Sequence, residues 1–330
     1  MKNIILSILA LASVSLFTGC NQGVSTPKAQ KAQKVQNKQE QRDIRIISAD
    51  NTQGKITTKS IEKAFTDNGF EITGNNNMNT AFEKRFNAKK EYEVYRLLFV
   101  YSAEASVKLL KDYPKFGLLA PLSTSVYSKD GTTMKISSLS LDGMARISGV
   151  PKTNPDLIAL ADRMTKALKE ALPNGEFEDT NYKVTRPDGE IITRFAFVMD
   201  NEDDDIEDAK EAYQETMEGE IESNGFIVAG FVNVNEDLEK NNIDTYDFYD
   251  TYAICKLEVI YPVHKLHPEV GALAPCTMYM YKKKGEEKTY LAYPSVYNWI
   301  MTTNIEDDES LEPLIDAQNL LESTIDSTIE

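Results

Sequence analysis

The chain has 330 residues, 41% of them hydrophobic, with three cysteines, two histidines and a formal charge of -16 at pH 7. That length supports two cores of ordinary domain size without help from a metal or a disulfide. The charge is uneven, with 19 basic and 18 acidic residues over 43–180 against 11 and 33 over 181–330, so the second half repels phosphate backbones and nucleic acid is excluded as its partner.

The chain opens on Met1-Lys2-Asn3, an apolar run from Ile4 to Leu16, and Phe17-Thr18-Gly19-Cys20. A short positive start, an apolar run too short to span a bilayer and small residues ahead of a cysteine resemble a bacterial lipoprotein signal peptide over residues 1–20. The resemblance implies a lipidated, palmitate-bearing Cys20. It also implies a membrane-anchored, periplasm-facing chain in the cell envelope. Asn21 rather than Asp after the cysteine favours the outer membrane, and Phe17 departs from the usual aliphatic residue. Residues 21–41, with almost no apolar content, read as a disordered tether averaging roughly 25 Å and reaching about 70 Å at full stretch. Its lysines 28, 31, 34 and 38 lack an apolar face, so it reads as a soluble spacer.

The first folded stretch, residues 42–180, starts with a strand near Asp43–Ser48. A helix follows, capped by Thr58 or Ser60, with Ile61, Ala64 and Phe65 inward and Asn68-Gly69 ending it. Tyr92–Tyr101 predicts a central strand and Ala103–Leu110 a short helix. Ser123–Tyr127 and Thr133–Leu139 flank the turn Lys129-Asp130-Gly131 as a hairpin. A closing helix starts at Asn154-Pro155, with Leu157, Leu160, Ala161, Met164, Ala167, Leu168, Ala171 and Leu172 on one face. Residues 181–330 run the same way. A strand over Ile191–Met199 leads to a helix carrying Ala209, Ala212, Tyr213, Met217 and Ile221. Next come a central strand over Ala253–Tyr261 and a hairpin of Cys276–Tyr281 with Thr289–Tyr293. A closing helix is marked by Leu311, Leu314, Ile315, Gln318 and Leu321.

The parallel is a tandem repeat. Gly117-Leu118-Leu119-Ala120-Pro121 returns as Gly271-Ala272-Leu273-Ala274-Pro275 at an offset of 154, and Asn68-Gly69-Phe70 returns as Asn224-Gly225-Phe226 at 156. With these motifs each copy resembles the domain of unknown function numbered 302. That family shares an Asn-Gly-Phe-like helix end, a Phe-Cys-Asn-Pro-like strand end and a Gly-Leu-Leu-Leu-Pro-Cys approach to a hairpin. The second copy has Cys255 and Cys276 where the family often has cysteines but departs at Lys256-Leu257; the first has Tyr101 and Leu122 there. The resemblance implies an α+β fold of two tandem antiparallel-sheet domains with helices packed on one face, like the TATA-binding protein in its β-α-β4-α order. It implies no activity. Each copy would present a sheet face or edge that the other can cover, which predicts an intrachain pseudo-dimer.

Candidate chemistry centres on Cys255 and Cys276, with His264 and His267 between them as Cys-x8-His-x2-His-x8-Cys. Three readings stay open: packed thiols, a disulfide worth about 3 kcal/mol, or a metal or redox site, the redox pair being the two cysteines and the metal candidates all four residues. The acidic runs 202–205 and 306–309 precede helices, where carboxylates favour the N-terminal dipole; without an EF-hand loop calcium is the weaker reading. Tyr246, Phe248, Tyr249 and Tyr252, with Asp244, Asp247 and Asp250 between them, fit a groove or interface lining, but alternating Tyr and Asp more often makes an edge strand with one packed face, and that is the reading favoured. Hydrolase, P-loop and dinucleotide motifs are absent, so no catalytic residues and no cofactor are assigned. The expected function is a non-catalytic binding or scaffolding module; the alternative is a thiol-redox or metal-binding protein.

Overall fold

The computed structural model describes residues 42–179, 182–199 and 205–329. The apolar start, Cys20, the tether and the acidic residues 202–204 lie outside them. No helix among the described residues is long and apolar enough to cross a membrane.

The first repeat runs β1 (Ile44–Asp50), α1 (Thr58–Asp67), β2 (Glu71–Asn77), α2 (Met78–Phe86), β3 (Val94–Tyr101) and α3 (Ala103–Leu109). A 3-10 turn (Pro114–Leu119), β4 (Leu122–Ser128), β5 (Thr133–Leu139), α4 (Leu141–Ser148), α5 (Pro155–Ala171) and a two-residue β6 (Glu176–Phe177) complete it. The strands form one antiparallel sheet ordered β2-β3-β4-β5-β1-β6. Thr57 caps α1 one residue ahead of the expected position, in a reciprocal capping box with Ser60. The apolar stripe expected on α5 is buried from Leu157 to Leu172, and α5 packs on α1.

The second repeat runs β7 (Ile192–Phe197), α6 (Ile206–Ser223), β8 (Ile227–Asn233), α7 (Val234–Lys240), β9 (Tyr246–Cys255) and α8 (Leu257–Leu266). A 3-10 turn (Pro268–Ala272), β10 (Cys276–Lys283), β11 (Thr289–Pro294), α9 (Val296–Thr303) and α10 (Asp308–Ile329) follow. Its sheet, β7-β11-β10-β9-β8, matches the first sheet strand for strand except for β6. Both repeats are thus α+β, each one antiparallel sheet with helices.

Several local expectations are corrected. The central strand is β9, not Ala253–Tyr261: after Cys255 the apolar run becomes α8, because Val259, Ile260 and Val263 bury a helical face. The Tyr-Asp stretch is no edge strand; β9 lies between β10 and β8 and is buried on both faces. On α6, Ala212 is exposed and Lys210 is buried instead. The Lys210 ammonium lies 3.9 Å from buried Asp250, whose Oδ2 also accepts from Gln214 Nε2 at 3.0 Å. Ile315 on α10 faces outward. Helices α2, α4, α7 and α9 lie beyond the elements the sequence pattern predicts; they are short, and their apolar residues answer tertiary contacts rather than a long periodic pattern. Inside α6, one turn before its C-terminal end, a Cβ added at Gly219 would meet nothing within 4 Å. Gly219→Ala is therefore expected to stabilise the chain by up to about 1 kcal/mol, read as a higher melting temperature.

The repeats meet through their duplicated anchors. The 3-10 turn Pro268–Ala272 lies on β4 and β5 of the first sheet, and Pro114–Leu119 lies on β10 of the second. The register puts Ser123, Ser125 and Ser137 on one face of the first sheet. Small side chains there let a backbone approach, and their hydroxyls donate to carbonyls of the segment around the turn: Ser123 to Pro275 at 3.1 Å, Ser125 to Pro268 at 2.7 Å and Ser137 to Glu269 at 2.8 Å. The arrangement is reciprocal. Thr277, the counterpart of Ser123, donates to Pro121, the counterpart of Pro275, at 2.9 Å. At the rims α2 contacts α8 and α3 contacts α7, and β2 meets β8.

Candidate functional site

The contact between repeats leaves a cleft of about 460 Å3 at one end of the first sheet, walled by Tyr92, Tyr127 and Lys135 from the first repeat and by Leu266, Pro268 and Glu269 from the second. Tyr127 and Lys135 are cross-strand partners, so they point to the same side as the serines under the turn. Tyr182, between the repeats in sequence, closes over it and donates its hydroxyl to Glu269 Oε1 at 2.7 Å. Glu269 enters the cleft because Pro268 starts the turn there and Ser137 holds the Glu269 carbonyl.

Glu269 is only 3% exposed, and among the described residues no lysine or arginine forms an ion pair with it. Its one basic neighbour is His267, whose Nδ1 is 3.6 Å from Oε1 and whose Nε2 is 2.8 Å from Asp307 Oδ2. Glu269 and Asp307 together hold His267 above its usual range, against the opposing effect of burial. The cleft lysines are already paired, Lys135 with Glu178 at 2.6 Å and Lys129 with Glu91 at 3.3 Å. Burial first, and Glu269 second, raise the hydroxyls of Tyr92, Tyr127 and Tyr182, Tyr92 to about 12. All three stay neutral phenols around the Glu269 carboxylate.

Cys255 and Cys276 end one strand and start the next, with Cys276 opposite Ile254 in the register. Both are free thiols and border an apolar cavity of about 50 Å3 with Trp299 and Leu321. Burial pushes each thiol up to about 12, so neither supplies thiolate at neutral pH. Cys255 is buried and Cys276 partly exposed, so in a form beginning after Cys20 Ellman's reagent is expected to react slowly with both thiols in the native chain and rapidly with two after unfolding; one rapid native equivalent would contradict the raised thiol pKa values.

The histidines do not join them. His264 packs among Phe82, Tyr95 and Tyr261, with Nδ1 2.5 Å from the Tyr261 carbonyl oxygen, and burial lowers it to about 4. His267 caps α8 and turns towards Asp307. The four residues of the Cys-His-His-Cys spacing are therefore split among three places. Among the described residues no group of three or more His, Cys, Asp or Glu forms a metal-ligand set. In the acidic runs Asp205 caps α6 and Asp307 caps α10, accepting from Ser310 N at 2.9 Å. The residues missed from sequence are Glu269 and the tyrosines. Tyr92 and Tyr127 carried a signal, since both recur as Tyr246 and Tyr281 at the repeat offset; Glu269, opposite Lys115, carried none.

A second opening, about 450 Å3, lies at the β2–β8 rim and is lined by Met78, Leu97, Phe99, Ile227 and Leu257 with Cys255 at its wall. It is mostly apolar.

Fold and site together define a pseudo-symmetric two-repeat α+β protein with a tyrosine-lined cleft between its halves. The chain belongs to the family described as Domain of unknown function DUF302, whose model matches residues 45–171 and again 205–328. Among solved structures, an uncharacterized conserved DUF302 protein from Bacillus stearothermophilus is similar at 18% identity over 43% of this chain and 100% of its own, with a TM-score of 0.36. Glycopeptide hexose oxidase DBV29, solved with teicoplanin, aligns at 10% identity over 86% of this chain and 41% of its own, with a TM-score of 0.14. Neither likeness carries an argument about function. No curated protein matches the sequence.

Proposed function

We propose that this is a lipid-anchored binding module of the cell envelope, in which the two repeats act as one intrachain pseudo-dimer and hold a small ligand in the cleft between them. The observation that carries the reading is that cleft: it needs both repeats for its walls, and its volume is that of a small-molecule site. Reciprocal contacts between the anchors support a rigid frame, and high thiol pKa values turn weight away from redox chemistry. The anchoring rests on the sequence Thr18-Gly19-Cys20 after an apolar run.

Two experiments test this. For the site, melting of the chain is followed against panels of cationic, anionic, saccharide and apolar small molecules. At least one class is expected to raise the melting temperature of the parent and not of Tyr127→Ala, which removes a wall; no shift with any class would overturn the binding reading. For the anchor, labelled palmitate is expected to enter the parent and not Cys20→Ser, and the variant to leave the membrane fraction; equal membrane retention of both would remove the lipid from the proposal.

A further inference from the structure

Resting on the binding reading above, we propose that the cleft takes an organic cation, a ligand whose ammonium or quaternary ammonium group sits against Glu269 among the tyrosine rings. The first ground is charge. A carboxylate this deep requires compensation, yet among the described residues the carboxylate of Glu269 has one tyrosine hydroxyl and a histidine it shares with Asp307, while Lys129 and Lys135 are committed to Glu91 and Glu178. A positive ligand group would supply what the protein withholds.

The second ground is the rings. Aromatic faces attract cations most when water is excluded, and neutral phenols flanking a carboxylate suit an ammonium carrying apolar substituents. The cleft already shows this preference within itself: Lys129 Nζ lies 4.6 Å from the centre of the Tyr92 ring. Tyr92 and Tyr127 stand edge to face, their planes 89° apart and centres 6.2 Å apart, so they bound the cleft from two directions. An inorganic divalent ion fits less well, since it takes six or more oxygens, several of them charged, and the phenols stay protonated. The third ground is long range, because the acidic second half draws cations towards the molecule.

The test is calorimetric titration of the chain with choline chloride. Its neutral isostere 3,3-dimethyl-1-butanol is run in parallel, with sodium chloride matching the ionic strength. Choline is expected to bind saturably, the isostere at least tenfold more weakly, and Glu269→Gln to lose at least tenfold in choline affinity. Should Glu269→Gln fail to fold, Tyr127→Leu, which keeps the carboxylate and removes a ring, is expected to lose affinity by a similar factor. Equal affinity for the isostere, or undiminished choline affinity in a folded variant, would overturn the proposal. Absence of choline binding while another class raises the melting temperature would overturn the cation and leave the binding module standing; absence of any ligand class would remove both.

Discussion

Gly271→Val is expected to destabilise the chain by about 3 kcal/mol, lowering its melting temperature by roughly 5 °C or more. The glycine sits in the turn that the second repeat lays on the first sheet. A Cβ there would fall 2.5 Å from Ser125 Cβ and 2.6 Å from Leu97 Cδ2. Ser125 cannot retreat, since it is fixed by strand pairing on both sides and by its bond to the Pro268 carbonyl, and the Leu97 side chain, buried in the middle of β3, has little room to turn away. The turn must therefore lift and give up its serine hydrogen bonds together. Gly117→Val should act in the same direction, since a Cβ there would lie 2.7 Å from the Tyr249 ring. Thermal melts of both variants beside Gly219→Ala make the check. If Gly271→Val melts like the parent, the turns are not held against the sheets in solution.

At pH 7.5 Asp250→Asn is expected to be more stable than the parent by up to about 3 kcal/mol, and near pH 4 the two should be almost equal. Asp250 is 1% exposed, and burial raises its carboxyl to about 6 although Lys210 and Gln214 oppose the shift. A raised folded-state value gives stability that is full below the ordinary carboxyl range and lost as pH rises through about 6, because the folded chain must then ionise a buried group. Each pH unit of displacement is worth about 1.4 kcal/mol, which sets the ceiling. His264 works the other way. Lowered to about 4, it gives stability that is full above 6.5 and lost as pH falls through about 4. The two contributions offset one another between pH 4 and 6, so the parent should show a flat stretch there and Asp250→Asn a steady loss on acidification. Urea unfolding across that range is the measurement; identical profiles would mean that ionising Asp250 costs the fold nothing.

The α+β architecture and the duplication were legible because each long element satisfied several local rules at once: α5 has a proline start, a capping Asn154 and an unbroken apolar stripe. Legibility failed where a second repeat supplied the environment. Tyr246–Tyr252 alternates like an edge strand, but the face that alternation leaves for water is covered by Pro114–Leu119, with Tyr249 donating to the Pro114 carbonyl. The run after Cys255 is rich in Val, Ile and Tyr and reads as strand by composition; packing of Val259 and Val263 decided for helix. The site was harder still. Cys255, His264, His267 and Cys276 are neighbours in sequence, but a strand, a helix and a turn carry them to different surroundings. Glu269 looked like an ordinary turn residue, and what makes it notable is the sheet of the other repeat, 132 positions away at Ser137.

The reciprocal packing also bears on how such a molecule can change. A dimer of identical chains must carry every substitution twice, so both of its symmetry-related clefts keep the same charge. Here the position of Glu269 is Lys115 in the other copy, beside a different cluster of tyrosines on β9 and β10. Joining the copies in one chain frees the two ends of the interface from each other: one can hold a carboxylate while the other holds an ammonium, and selection can retune either by a single codon.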